Sequence, residues 1–135
     1  MTTISVHASA EIQAITLHPG KVTLAELRTL QQAGVKLSMA ASAYEDMRIA
    51  QAHVQHIVDE DQVVYGINTG FGKLASTKIA HDRLAELQRN LVLSHSVGTG
   101  EPLADHVVRM VLATKAVSLA RGHSGVRPEL VDALL

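Results

Sequence analysis

The stretch Ala104-Asp-His-Val-Val-Arg-Met-Val-Leu-Ala-Thr-Lys-Ala-Val-Ser-Leu-Ala120 reads as one helix that is apolar on most of its sides. Val107, Val108, Met110, Val111, Leu112, Val117 and Leu119 surround it, and Gly122 stops it. A helix without a polar face is covered by neighbours rather than by water. The chain offers about four helices, too few to cover this one alone, so the expected fold is mainly α and packed into something larger. Composition agrees: 47% of the residues are apolar but only 2% aromatic, and small aliphatic side chains in such number suit closely packed helices.

Working outward, Arg127-Pro-Glu-Leu-Val-Asp-Ala-Leu-Leu135 begins a further helix with Pro128 at the favoured first position. It stops on two leucines with neither glycine nor cap, and the expectation is a polypeptide that continues. Upstream, Gly98-Thr-Gly-Glu-Pro102 is a connection, and Leu84, Leu87 and Leu91 form the stripe of a helix that Asp82 can cap and that runs toward Ser94 and His95. Between Gln62 and Gly72 the helical pattern breaks into a short β-like segment, Val63-Val64-Tyr65, followed by a glycine-rich loop. Ser42-Ala-Tyr-Glu45 has the form of a capping box. It predicts a helix to about Asp59 with Met47, Ala50, Val54, Ile57 and Val58 on its inner face. A second box, Thr23-Leu-Ala-Glu26, predicts a helix over Leu24 to Ala33 that Gly34 ends, and Ile12 to Leu17 predicts a short strand before a turn at Pro19-Gly20. With no repeat or linker, residues 1–135 are expected to form a single N-terminal domain.

Twelve Lys and Arg against thirteen Asp and Glu give a net charge of -1. That balance creates no field for nucleic acid or an anionic membrane, and neither is expected as a partner. The absence of cysteine excludes disulfides, thiolate metal sites and a cysteine nucleophile. The residues after Met1 lack a basic n-region and an apolar h-region, and no apolar run approaches a membrane span. A soluble, cytoplasmic location is the expectation.

Tyr65-Gly-Ile-Asn-Thr-Gly-Phe-Gly72 is the stretch richest in chemistry. It is not a phosphate cradle, because Lys73 precedes Leu74 rather than Ser or Thr and the glycines at 66, 70 and 72 miss the dinucleotide spacing. Gly66, Gly70 and Gly72 imply unusual φ angles or close backbone approach, so Tyr65 at the loop's entry is placed by backbone. His53 and His56 share a helix face, but no third ligand follows at a zinc spacing, and no metal is expected. Ser94, His95 and Asp105 do not make a triad: Ser94 and His95 are adjacent, point apart on a helix, and lack a nucleophile elbow. His95 at a helix end is either a dipole-favoured terminal histidine or a polar contact at the rim of an apolar pocket.

The loop, continued by Leu74-Ala-Ser-Thr77, resembles the tyrosine loop of the aromatic amino acid ammonia-lyases and aminomutases. The likeness extends through Leu87-Gln-Arg-Asn-Leu-Val-Leu-Ser-His-Ser96, Gly98-Thr-Gly-Glu-Pro-Leu103 and Ser118-Leu-Ala-Arg-Gly-His-Ser-Gly-Val-Arg127. These four blocks stand in the family's order and spacing, and the resemblance runs over nearly the whole chain, most weakly before Leu17. Ser94-His95 is similar to the pair in the histidine ammonia-lyases. Phenylalanine enzymes tend to carry an aromatic and leucine there, and tyrosine enzymes histidine and leucine. His123 is a departure, since related sequences more often hold Tyr or Phe.

The resemblance implies an aspartase/fumarase-like helical-bundle lyase, of which this chain would be the N-terminal part. It implies elimination of ammonia from L-histidine to give trans-urocanate, with Tyr65 as base, His95 and Ser94 as substrate contacts, and Gly66, Gly70 and Gly72 positioning the loop. Free tyrosine titrates near 10, so such a base needs positive dipoles or a strong electron sink. The family's sink is 4-methylidene-imidazol-5-one, made from an internal Ala-Ser-Gly; no such tripeptide occurs in this chain. The nearest approaches, Ala8-Ser9-Ala10 and Ala75-Ser76-Thr77, lack the glycine. The chain alone is therefore expected to be inactive, and the family's active sites are built from several subunits of a homotetramer. Two alternatives accompany this reading: a tyrosine or phenylalanine lyase or aminomutase, and a non-catalytic paralogue acting as an assembly module.

Overall fold

A computed structural model describes residues 13–32 and 34–135. Strand β1 (Gln13–Leu17) leads through helix α1 (Leu24–Leu30) to strand β2 (Val35–Met39), and the two strands pair in parallel from Gln13 with Val35 to Leu17 with Met39. Four helices follow: α2 (Ala41–Asp59), α3 (Leu84–His95), α4 (Asp105–Leu119) and α5 (Pro128–Leu134). The mainly helical fold expected from α4 is what the chain adopts.

β2 is an addition to that expectation. Parallel strands need a crossover rather than a hairpin, and α1 supplies it. The signal was present, since Val35, Leu37 and Met39 alternate with Lys36 and Ser38. The capping box at α1 forms as predicted: the Glu26 amide donates to Thr23 Oγ1 (3.2 Å) and the Thr23 amide donates to Glu26 Oε2 (2.7 Å). α1 ends at Leu30, short of the expected end at Ala33. Arg109 Nη2 on α4 donates to the Gln31 carbonyl (3.0 Å) just past that end, as cations commonly do at helix C-termini. The outermost residues of two expected elements, Ile12 and Ala33, lie outside the described residues.

The second box does not form. α2 begins at Ala41, so Ser42 is already inside the helix, and its N-cap Ala40 makes no side-chain bond. The backbone fixes this start: the Ala40 amide donates to Leu17 O (2.9 Å) and its carbonyl accepts from the Ala43 amide (3.0 Å). Asp82 likewise caps nothing. It sits in a 3₁₀ turn, His81–Arg83, and the N-cap of α3 is Arg83. The Arg83 guanidinium forks onto Glu86 at 3.0 and 3.2 Å and holds that carboxyl below its ordinary range.

Leu17, Leu30, Met39, Ala43, Met47, Ala113, Ala116, Leu119, Ala120 and Val131 form the core. Alanines at 113, 116 and 120 let neighbouring elements approach α4 closely, and burial of such apolar surface contributes about 25 cal/mol per Å². The opposite side of α4 stays open, with Val107, Val108, Val111 and Leu112 exposed. Tyr44 Oη donates to Asp132 Oδ1 (2.5 Å), tying α2 to α5. That bond, with some burial, holds the Tyr44 hydroxyl above its ordinary range.

Candidate functional site

The glycine loop is tied to the strip that follows it. The Gly70 amide donates to Thr77 O (3.0 Å), the Ile79 amide donates to Asn68 O (2.9 Å), and Thr69 and Lys78 form an antiparallel bridge. Lys78 also pairs with Asp61. The expected β segment at Val63-Val64-Tyr65 is absent. Its backbone is bonded to a side chain instead: the Val64 amide donates to Asn68 Oδ1 (2.9 Å), and Asn68 Nδ2 donates to Gln62 O (2.6 Å). A local side chain that satisfies the backbone competes with strand pairing.

Asn68, Thr69 and Gly70 are buried while Tyr65 is 62% exposed. Its ring meets Phe71 edge to face with centroids 5.7 Å apart. Gly66 has φ +83, a conformation that L side chains rarely adopt. Gly70 is required for a different reason: a Cβ there would stand 2.6 Å from Leu74 Cβ and 2.9 Å from Leu74 O. The sequence requirement for glycine is thus met by angle at one position and by space at another.

Beside the loop lies a cleft of about 510 Å³. Tyr65 and Ile67 form one wall, His53, Val54 and Ile57 of α2 the floor, and His123 part of the other side. The His123 turn can approach α2 because its neighbours are glycines. A Cβ on Gly125 would lie 2.3 Å from Val54 Cγ2, and one on Gly122 2.7 Å from Asp46 O. Nothing in the sequence alone gave His123 work; its position in Gly122-His-Ser-Gly125 was the available signal.

Ser94 and His95 occupy the last turn of α3, both exposed, and neither lines the Tyr65 cleft. His95 Nδ1 lies 2.9 Å from Leu91 O and 3.0 Å from Ser94 Oγ, and Ser94 Oγ donates to Leu91 O (3.1 Å). A carbonyl only accepts, so this contact places a proton on Nδ1. Ser94 Oγ, its own proton given to Leu91 O, can only accept from Nδ1. His53 and His56 are both exposed on α2, and among the described residues no group of three or more His, Cys, Asp or Glu could hold a metal ion.

A profile described as aromatic amino acid lyase matches residues 22–135. A histidine ammonia-lyase from Paracidovorax citrulli is 77% identical over 121 residues, which is 90% of this chain and 24% of that protein. Another from Aromatoleum aromaticum is 53% identical over 90% of this chain and 23% of that protein. Among solved structures, histidine ammonia-lyase from Trypanosoma cruzi superposes with a TM-score of 0.80 at 38% identity, covering 91% of this chain and 23% of that one. The chain thus spans about a quarter of the length of these relatives.

Proposed function

The chain belongs to the aromatic amino acid lyase family, and on that footing we propose that it is the N-terminal domain of a histidine ammonia-lyase, supplying Tyr65 as the base. One observation carries this reading. Tyr65 stands exposed on a backbone whose next anchor points, Asn68 and Thr69, are buried. A phenol held at the tip of a fixed loop suits a group that must meet a proton on a small amino acid rather than fill a core.

In the proposed reaction the Tyr65 oxygen, as the base, takes the proton on the β-carbon of L-histidine. The C–H electron pair becomes the new double bond as the Cα–N bond breaks, giving trans-urocanate and ammonia. His95, with Nε2 as acceptor, receives the N–H of the substrate imidazole, while Ser94 and Leu91 O hold its ring in place. In the full-length protein the electron sink would be the family's 4-methylidene-imidazol-5-one. Its parent Ala-Ser-Gly does not occur in these 135 residues, so the group cannot be made from them and the chain by itself is inactive. Urocanate absorbance appearing when this chain alone meets L-histidine would overturn that.

The same reading includes a homotetramer, supported by the open apolar side of α4. It also includes a cytoplasmic location, compatible with the lack, among the described residues, of a helix long and apolar enough to cross a membrane. Tyr65→Phe in a full-length lyase carrying this segment tests the central assignment. Turnover should fall by about 10² to 10⁴, the usual contribution of a general base, with substrate affinity nearly unchanged because the ring remains. Turnover within a factor of a few of the parent removes Tyr65 from the mechanism.

A further inference from the structure

We propose that Asn68 is the positioning residue for Tyr65, and that it acts by gripping the residue immediately before it. Val64 has two main-chain polar groups, and Asn68 engages both. Its side-chain Oδ1 accepts from the Val64 amide (2.9 Å), and its own amide donates to Val64 O (3.3 Å). The other end of the side chain, Nδ2, donates to Gln62 O (2.6 Å), and the Asn68 carbonyl accepts from the Ile79 amide (2.9 Å). Every polar group of this residue is therefore used within the loop and its two flanks, and it is only 3% exposed.

The consequence for Tyr65 is geometric. Two bonds fix both sides of Val64, a third fixes Gln62, and a fourth ties the clamp to the strip at Ile79. The backbone entering Tyr65 then has little freedom, although the phenol itself is in the open. An amide side chain is the suitable group, because one end must accept and the other donate. Aspartate keeps the acceptor for Val64 but sets an oxygen against the Gln62 carbonyl. Alanine leaves the Val64 amide unsatisfied in a half-buried position, which is costly.

This role rests on the reading of Tyr65 as base, and two measurements separate the two ideas. The first is kinetic, in a full-length lyase carrying this segment. Asn68→Ala should lower kcat on the order of 10², the penalty of about 1 Å of misplacement, with KM little changed. In the Tyr65→Phe background it should cost no more than about twofold, because neighbouring residues that act through one group are not additive. Fully additive losses overturn the proposal. A neutral Tyr65→Phe defeats the base reading instead.

The second measurement does not depend on activity. In the same full-length lyase, fluorotyrosine labelling gives ¹⁹F resonances among which those of Tyr44 and Tyr65 are assigned by their loss in Tyr44→Phe and Tyr65→Phe. Asn68→Ala should shift or broaden the Tyr65 signal and leave the Tyr44 signal in place, and Asn68→Asp should do so less. An unmoved Tyr65 signal overturns the clamp. Loss of both signals' native positions in Asn68→Ala and Asn68→Asp alike also overturns it, by making Asn68 a support of the whole chain.

Discussion

Among the described residues, the buried apolar side chains lie before Glu60 and after Asp105, whereas the glycine loop between them, residues 62–79, is tied by hydrogen bonds. The whole apolar core comes from the two packed stretches, from Leu17 to Ile57 and from Ala113 to Val131. Between them the buried residues are Asn68, Thr69 and Gly70, in the middle of the glycine loop. Helix α3, also between them, buries no residue. The residues proposed for chemistry, Tyr65, Ser94 and His95, all lie in this intervening region. Packing provides a stable base that tolerates no voids. Hydrogen bonds fix a loop while leaving its tip free to meet a ligand, which packing cannot do without burying the tip.

If that division is right, damage to the core and damage to the loop have different readouts. Met47 is 1% exposed and contacts the central cluster. Met47→Ala should cost about 2–5 kcal/mol through lost burial and a cavity, a large share of what a domain this size possesses. Denaturant midpoints measure it, and the Tyr65 ¹⁹F resonance should stay in place under native conditions. A loss under about 0.5 kcal/mol, the size expected of a surface change, would place the core elsewhere.

Gly70→Ala makes the reciprocal case. The added Cβ meets Leu74 Cβ at 2.6 Å and Leu74 O at 2.9 Å, so the loop must shift to admit it. In a full-length lyase the expected fall in turnover is on the order of 10², while global stability changes by about 1 kcal/mol or less. Equal effects of Gly70→Ala and Met47→Ala on the denaturant midpoint would show that loop and core unfold as one unit.

The packed region was the more legible of the two. Three-to-four periodicity located α2 and α4, Pro128 opened α5, and Thr23 with Glu26 capped α1, while in the other region periodicity gave only the stripe of α3. The misreadings share a cause. Ser42 and Asp82 are good cap residues by type, but the start of α2 is set by strand bonds at Ala40 and that of α3 by a 3₁₀ turn. β2, of five residues, lies between the expected helix end at Gly34 and the box at Ser42, a stretch for which the sequence reading predicts no element. Val63-Val64-Tyr65 has strand composition, yet Asn68, five residues after Val63, takes up its backbone. At the site, the glycine pattern marked Tyr65 by motif and the clamp is a local side-chain arrangement, while the His123 wall depends on tertiary contacts that spacing does not encode.

The smallest expected effect separates the two regions by pH. Glu26 and Glu86 both lie below the ordinary carboxylate range, Glu26 chiefly through the Thr23 amide and then its hydroxyl, Glu86 through Arg83. A carboxyl whose folded pKa is depressed binds fewer protons folded than unfolded. Its contribution is complete above the unfolded value, near 4.3 for Glu, and disappears as pH falls through the folded value. Glu26→Gln keeps an acceptor for the Thr23 amide but removes the titration, so global stability should fall less steeply between about pH 5 and pH 3. Glu26 starts α1, whose Leu30 is in the core, so its protonation is linked to unfolding of the packed region. Glu86 lies on α3, which buries nothing, so Glu86→Gln should leave the pH slope of global unfolding unchanged and alter amide exchange only near residues 83–90. Matching slopes for the two variants would mean that α3 unfolds with the core, and the contrast between the two regions would fail at its weakest-packed helix.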